Sequence, residues 1–403
     1  DIRSSDLKYL LSFFFAYVAY FTVPLSGRAQ QNIESLLSSG LGDANKLMTT
    51  YIRPFANGFG VSQNVGWFNT AETYQPGRFD FRIIPSGVFI PNSDQNFNIN
   101  GLGLQNVRLS PGENPIAPTI YGANTQGAQL ELIAPTLSTG LFPPGTPAPA
   151  IAAAQSLANT NASSVNFRMP QGLGLPVNAS PYVALQLTVG VYKNTDLILR
   201  YVPLNFERLS GGIYGIGIKH DIKQWIPGLQ DKSFDLAVGV AYTFGNLGLA
   251  LNVEPGAFPQ ANGQPAPSYA NQRLGLDFSA FNVSILASKR FGVISFYGGP
   301  RFETSSFGIK ATGIYPITSI NTTGPTVAQF GQREIVNVSN PVNINTNLNQ
   351  IGLNLGMRLK VTRALELTLD GNIARYSSFM VGIGLGWGNP VKNRYEDKGE
   401  PEN

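Results

Sequence analysis

Large apolar and polar side chains alternate strictly in the C-terminal third of the chain. From Gln350 to Val361 the odd positions are Ile351, Leu353, Leu355, Met357, Leu359 and Val361; the even ones are Gln350, Gly352, Asn354, Gly356, Arg358 and Lys360. A period of two places every large apolar group on one face of a strand. The pattern restarts at Leu365, Leu367 and Leu369, and again at Phe379, Val381, Ile383, Leu385 and Trp387. Phe234, Leu236, Val238, Val240, Tyr242 and Phe244 repeat it, as do Leu197, Leu199 and Tyr201. Such segments near 59–69, 78–90, 182–193, 195–206, 212–222, 233–251, 272–290, 293–304, 307–317, 346–361, 364–374 and 378–387 predict twelve strands. Two weaker segments, Phe97 to Leu109 and Ser164 to Met169, add a pair. If the strands close into a transmembrane barrel, whose strand number is even, twelve and fourteen both stand, with fourteen favoured.

The N-terminal stretch follows other periods. Arg3 and Lys8 precede the apolar run Tyr9 to Val23, and small residues follow at Gly27 and Ala29. This reads as a secretory signal peptide over 1–29, because the run falls short of the ~20 residues of a spanning helix; an uncleaved anchor is the alternative. Between Asn32 and Phe55, Ile33, Leu36, Leu37, Leu41, Ala44, Leu47, Met48, Tyr51 and Ile52 recur at three- and four-residue spacing. That predicts one or two short amphipathic helices, interrupted by Gly40 and Gly42 and ended by Pro54, with Asp43 capping the second.

Alternation alone fits a sandwich with its apolar face inward or a membrane barrel with that face outward. Three features favour an all-β transmembrane antiparallel barrel. The segments run about 10–18 residues, which suits a tilted crossing. Short links such as Lys193-Asn194-Thr195, Phe291-Gly292 and Thr362-Arg363 alternate with long ones. Aromatics including Tyr201, Tyr242, Phe244, Phe296, Phe302, Phe379 and Trp387 sit near strand ends, as interfacial girdles do. The expected layout is a helical plug over 30–57 and a barrel over 58–388, with a long extracellular loop region over 92–178 and a charged periplasmic tail over 389–403. Residues 110–163 are rich in Pro, Gly, Ala and Ser, and form either a structured lid or a partly disordered stretch. Apolar residues in 92–178, among them Leu130 and Leu141, either pack over the barrel mouth or offer a docking surface to a hydrophobic molecule or a protein.

Composition then narrows the chemistry. Charged residues are only 13% of the 403, and there is no Cys and a single His, His220. Thiolate metal sites, iron–sulfur clusters and Cys nucleophiles are excluded, and no cofactor or metal is expected. His220 has no nucleophile or orienting partner at an identifying spacing, so no enzyme is expected. A net charge of +4 is too small for this length to suggest nucleic acid. With the large apolar groups facing lipid, the opposite parity lines the lumen with Arg78, Asp80, Arg82, Asp196, Arg200, Lys219, Asp221, Asp235, Arg301, Glu303, Arg358, Lys360, Glu366 and Asp370. These charges either pair across the wall and plug, or the cations Arg78, Arg82, Arg200, Lys219, Arg301, Arg358 and Lys360 bind an amphipathic carboxylate. On the plug, Asp43, Tyr51 and Arg53 are the candidate hatch residues, Asp43 and Arg53 being natural partners for wall charges. The Gly382-x-Gly384-x-Gly386 run marks lumen-facing strand glycines rather than a nucleotide loop.

The segments Asp43-Ala44-Asn45-Lys46-Leu47, Tyr51-Ile52-Arg53-Pro54, Gly66-Trp67-Phe68-Asn69-Thr70-Ala71 and Gly215-Ile216-Gly217-Ile218-Lys219-His220-Asp221-Ile222-Lys223-Gln224-Trp225-Ile226-Pro227 carry a family resemblance. The chain resembles an uncharacterised family of bacterial outer-membrane barrels, similar in layout to FadL-type transporters of hydrophobic compounds and to the PorV-type barrel of type IX secretion. The resemblance implies a fourteen-stranded barrel with an N-terminal hatch. It implies uptake or capture of hydrophobic or amphipathic small molecules or lipid. The alternative is a non-transporting platform with protein partners at its extracellular loops.

Overall fold

In a computed structural model of the chain, residues 40–203 and 209–387 are described, apart from positions 264, 325 and 363. The expected signal peptide and the expected tail lie outside the described residues. The alternating segments form β1 (Phe79–Phe89), β2 (Ala179–Gly190), β3 (Thr195–Pro203), β4 (Leu209–Asp221), β5 (Asp235–Ala250), β6 (Arg273–Phe291), β7 (Ile294–Thr312), β8 (Val342–Lys360), β9 (Leu365–Ile373) and β10 (Ser378–Trp387). Each pairs antiparallel with its chain neighbour, and Phe79 meets both Val189 of β2 and Trp387 of β10, so the sheet closes on itself. Closure leaves no unpaired strand edge among these ten.

The wall therefore has ten strands, not twelve or fourteen. Residues 59–69 are the end of a helix and the link after it, 293–304 and 307–312 fall in the one continuous strand β7 while 314–317 open a separate short strand outside the wall, and 97–109 and 164–169 contribute only short strands outside the wall. The misreading at 59–69 has a clear source, since Phe59, Val61, Val65 and Trp67 mimic a period of two. The intervening Gly58 and Gly60 instead let a helix approach the wall: a Cβ on Gly60 would overlap Ser305 of β7, and one on Gly58 would lie 2.8 Å from Ile90.

Helix α1 (Leu41–Ser62) runs inside the barrel, against β1, β2, β6, β7 and β8. It passes straight through Pro54. A mid-helix proline costs about 3 kcal/mol, and burial offsets this: Phe55 and Phe59 stack on one another and meet Phe278 and Phe307 edge-on, with Phe59 and Phe278 centroids 4.9 Å apart. Among the described residues no helix is long and apolar enough to cross a membrane.

Links at one end of the barrel are mostly short. The β2–β3 turn is made by Lys193 and Asn194, both at positive φ (44° and 55°), and the β6–β7 turn by Gly292 at 62°. Twisted two-residue hairpins require such backbone values. At the other end the β1–β2 link forms a folded cap containing α2 (Ala148–Ser164) and the short strands Val107–Leu109, Gln129–Leu132 and Asn166–Arg168. Ile99, Val107, Leu130, Phe167 and Met169 make a core there, and Leu47 of α1 is fully buried in it. A second cluster joins Ala154, Ala158 and Ala162 of α2 to Ile320 and Phe330, which belong to the β7–β8 link. Residues 110–163 form part of this cap, with Leu130, Leu137 and Phe142 buried in it.

The outward faces carry the exposed apolar residues: Ile216, Ile218, Ile285, Leu353, Leu355, Leu369 and Val381, with Ile351 75% exposed. Along β8 and the residue after it, the outward series from Ile351 to Val361 covers ten residue steps, about 33 Å of strand, or about 25 Å of height at a ~40° tilt. Above Ile351 the polarity reverses without any break in the strand. Val342 and Ile344 point inward and are buried, while Asn343, Asn345 and Asn347 are exposed. The same switch occurs in β6 between outward Val283 and outward Asp277, and in β7 between outward Phe302 and outward Lys310.

Candidate functional site

Inside the barrel the wall divides by height. Toward the cap the inward side chains are apolar: Ile84 and Val88 of β1, Ala184 of β2, Ile213 of β4, Phe278 of β6, Phe307 and Ile309 of β7, Val342 and Ile344 of β8, and Met380 of β10. Toward the short turns they are charged, and Asp80, Arg82, Asp196, Lys219 and Arg358 are each at most 2% exposed. Alternation locates the inner face of each strand, and the cap-ward extension of β6–β8 supplies its apolar half.

The chain after α1 descends through this lumen. Arg200 donates to the Gln63 and Val65 carbonyls at 3.0 Å each and to the Gln186 side-chain oxygen at 2.8 Å. Its guanidinium lies 4.0 Å from the Trp67 ring centre, and the indole N–H donates to the Gln63 carbonyl at 2.9 Å. Trp67 fits because Gly215 and Gly217 of β4 face it; a Cβ at Gly215 would lie 2.7 Å from the ring. Phe68 lies likewise against Gly239 of β5. Lower down, Thr70 and Ser288 of β6 hold their hydroxyls 3.2 Å apart, and the Tyr74 N–H donates to Asp196 at 2.8 Å.

Glu72 forms the lowest tie. Its carboxylate accepts from Arg290 of β6 and Arg358 of β8, while its carbonyl accepts from Lys219 at 2.6 Å. Lys219 also pairs with Asp196 at 3.0 Å, and Arg82 with Asp80 at 2.9 Å and Glu366 at 3.3 Å. Arg358 and Lys360 reach Glu366 at 3.7 and 3.9 Å, and Arg301 pairs with its neighbour Glu303. Six of the seven proposed lumen cations thus have named partners in the wall or on the descending chain, the arrangement expected of charges that hold the structure together. The seventh, Arg78, is exposed: β1 begins one residue later, at Phe79, so the inward parity of the strand does not extend to it.

Of the residues expected to form a hatch on α1, Asp43 and Tyr51 face the cap rather than the wall. Asp43 does not cap a helix through its side chain. Its Oδ2 accepts the backbone N–H groups of Gln105, Asn106 and Val107 at 2.8, 2.6 and 3.3 Å. The Tyr51 hydroxyl donates to the Gln171 carbonyl at 2.9 Å, and burial pushes that hydroxyl up to about 12, so it stays a donor. Arg53 is exposed. Replacing Asp43 with Ala orphans three N–H groups, a cost of about 1–3 kcal/mol. Proteolytic nicking within residues 103–107 should then become several-fold faster, as read by mass spectrometry of the fragments.

Glu72, Arg290 and Trp67 escaped the sequence-based assignment of roles. For Trp67 the signal was present, in the Gly215-x-Gly217 pair that its ring needs. His220 sits at the short-turn end, its Nδ1 2.8 Å from the Thr195 hydroxyl and its Nε2 accepting from the Trp225 indole N–H at 2.9 Å.

A closed antiparallel barrel with an apolar exterior and an occupied lumen is the architecture of bacterial outer-membrane barrels. The chain belongs to the family of unknown function DUF6588, whose model matches residues 7–387. No curated protein matches it. Among solved structures, the attachment invasion locus protein Ail of Yersinia pestis aligns at 11% identity over 47% of this chain and 93% of its own, with a TM-score of 0.20. The translocator domain of the Neisseria meningitidis autotransporter NalP aligns at 7% over 85% and 99%, with a TM-score of 0.27. The Ralstonia pickettii toluene transporter TbuX aligns at 5% over 77% and 89%, with a TM-score of 0.18. Alignments this loose do not bear on what the chain does.

Proposed function

We propose that the protein is a bacterial outer-membrane barrel that takes up or captures hydrophobic or amphipathic small molecules, with α1 and the descending segment 63–78 as a displaceable plug. The division of the lumen carries this reading. The apolar upper wall, packed against α1, lies above a charged ring at the short turns, so a molecule with an apolar body and an acidic head would find matching walls in sequence once α1 moved aside. The plug is held by hydrogen bonds, ion pairs and packed rings, all of which can be released without breaking the wall ladder.

No catalytic role is proposed for His220. Both of its ring nitrogens are engaged by Thr195 and Trp225, and replacing it with Ala is expected to leave uptake unchanged.

The cysteine-free chain allows a clean test. Thr70→Cys with Ser288→Cys places two thiols where hydroxyls stand 3.2 Å apart. Oxidised, the variant should take up a fluorescent fatty acid into proteoliposomes at less than a tenth of the wild-type rate, and reduction should restore it. Equal rates in both redox states would remove the plug from the route.

A platform for partner proteins is the second reading. It is favoured by exposed Ile133, Leu141 and Leu157 on the cap, and predicts stoichiometric co-purification of a protein subunit.

A further inference from the structure

The outer wall carries a feature that plug and lumen do not use. At the height where the outward faces change polarity, a hollow of about 360 Å³ lies on β4–β8. Its lower rim is aromatic: Tyr214, Tyr242 and Phe244 are 44–48% exposed. They continue a row from Tyr201, with neighbouring centroids 5.3 to 5.9 Å apart. Above this rim stand Asp277, Lys310 and Asn345. Lys310 and Asp277 face each other at 3.6 Å with side chains 53% and 59% exposed. Gly308, between Ser306 and Lys310, brings no side chain to the floor, where a Cβ would lie 3.0 Å from Asn345 Oδ1.

The surroundings of the hollow say what fits. β6, β7 and β8 are 19 residues each, against 9 and 10 for β9 and β10. The extra length rises on one side of the barrel only, with a polar outer surface of Arg273, Asp277, Lys310, Asn343 and Asn345. From Ser279 to Arg273 is six residues, about 20 Å of strand. A phospholipid headgroup ends near the aromatic rim, where tyrosines mark the interface. A polar wall continuing above it matches a lipid whose polar part is tall. Ring faces take the C–H faces of sugars, amide and carboxylate groups take their hydroxyls, and an exposed ammonium takes a phosphate.

We propose that this hollow binds the phosphorylated saccharide headgroup of a membrane glycolipid, with Tyr242 and Phe244 stacking on sugar rings, Asp277 and Asn345 taking hydroxyls, and Lys310 pairing with phosphate. The site rests on the reading of the barrel as membrane-spanning with its cap outside, and not on transport.

The test uses the full chain in nanodiscs of phosphatidylethanolamine doped with a rough-type lipopolysaccharide, retained lipid being counted by native mass spectrometry. Tyr242→Ala with Lys310→Ala should lower retained lipopolysaccharide at least fivefold without changing retained phospholipid. Phe379→Ala, an exposed aromatic on the opposite wall, should change neither. Equal retention in the double variant, or an equal loss of phospholipid, overturns the site while leaving the membrane reading intact. Failure of the wild-type chain to enter nanodiscs overturns both.

Discussion

Replacing Glu72 with Gln should open the barrel. The Glu72 carboxylate is the shared anion of Arg290 and Arg358, and its side chain is 9% exposed beside an Arg358 that is 2% exposed. Removing one partner of a buried ion pair costs about 3–5 kcal/mol, and the lower end of that range applies because Arg358 keeps Glu366 at 3.7 Å and Arg290 is partly exposed. Here the cost falls on the plugged state alone, since the two guanidiniums regain water once segment 63–78 leaves. At 1.4 kcal/mol per factor of ten, 3 kcal/mol shifts the plugged-to-open ratio about a hundredfold. Single-channel recordings in planar bilayers should show long open periods in the variant and brief ones in the wild type. Glu72→Asp should restore part of the closure. Wild-type recordings from Glu72→Gln would show that this carboxylate does not hold the plug.

Trp67→Ala is expected to act through packing. The indole is 2% exposed, covers Arg200, and fills the space left by Gly215 and Gly217. Emptying a site of this size costs about 3–5 kcal/mol. It also removes a donor to the Gln63 carbonyl and bares the Arg200 guanidinium to the lumen. The folded barrel should persist, because the wall ladder is untouched, so the band shift between heated and unheated samples on a gel should remain. The plug should become mobile, seen as a rise of at least tenfold in hydrogen exchange at residues 63–70. Unchanged exchange would mean that the plug is held by its ion pairs alone.

Alternation made the lower wall legible. Leu353, Leu355 and Leu369 face outward, and Arg82, Arg200 and Arg358 inward, where parity put them. In β7 and β8, unlike β6, which the segment 272–290 anticipated almost in full, the upper wall was not legible for the same reason. A strand rising beyond its apolar band must turn its apolar residues toward the plug, as Val342 and Ile344 do, and a rule with one outward face reads that reversal as the end of the strand. Hence the assignment of β8 began at 346 and divided β7 in two. The ties of the plug were beyond sequence reasoning of this kind. Glu72 meets Arg290 and Arg358 across 218 and 286 residues, and only the closed ring of strands sets those distances. Asp43 looked like a helix cap because a carboxylate at a helix start has that use by default. Here the first turn lies against the cap loop, and three other N–H groups claim it.

The burial of Leu47 in the cap core, together with the grip of Asp43 on residues 105–107, makes α1 and the cap one body. Withdrawal of the plug then strains or carries the cap, and any ligand that distinguishes the two cap positions changes the plug equilibrium by the ratio of its affinities for them. The reverse holds equally: a solute that drives the plug out alters how tightly the cap binds that ligand, by the same factor. In the proposed uptake route, a binder that favours the cap as seen here would oppose release of the plug without touching the lumen, at the end of α1 remote from Glu72.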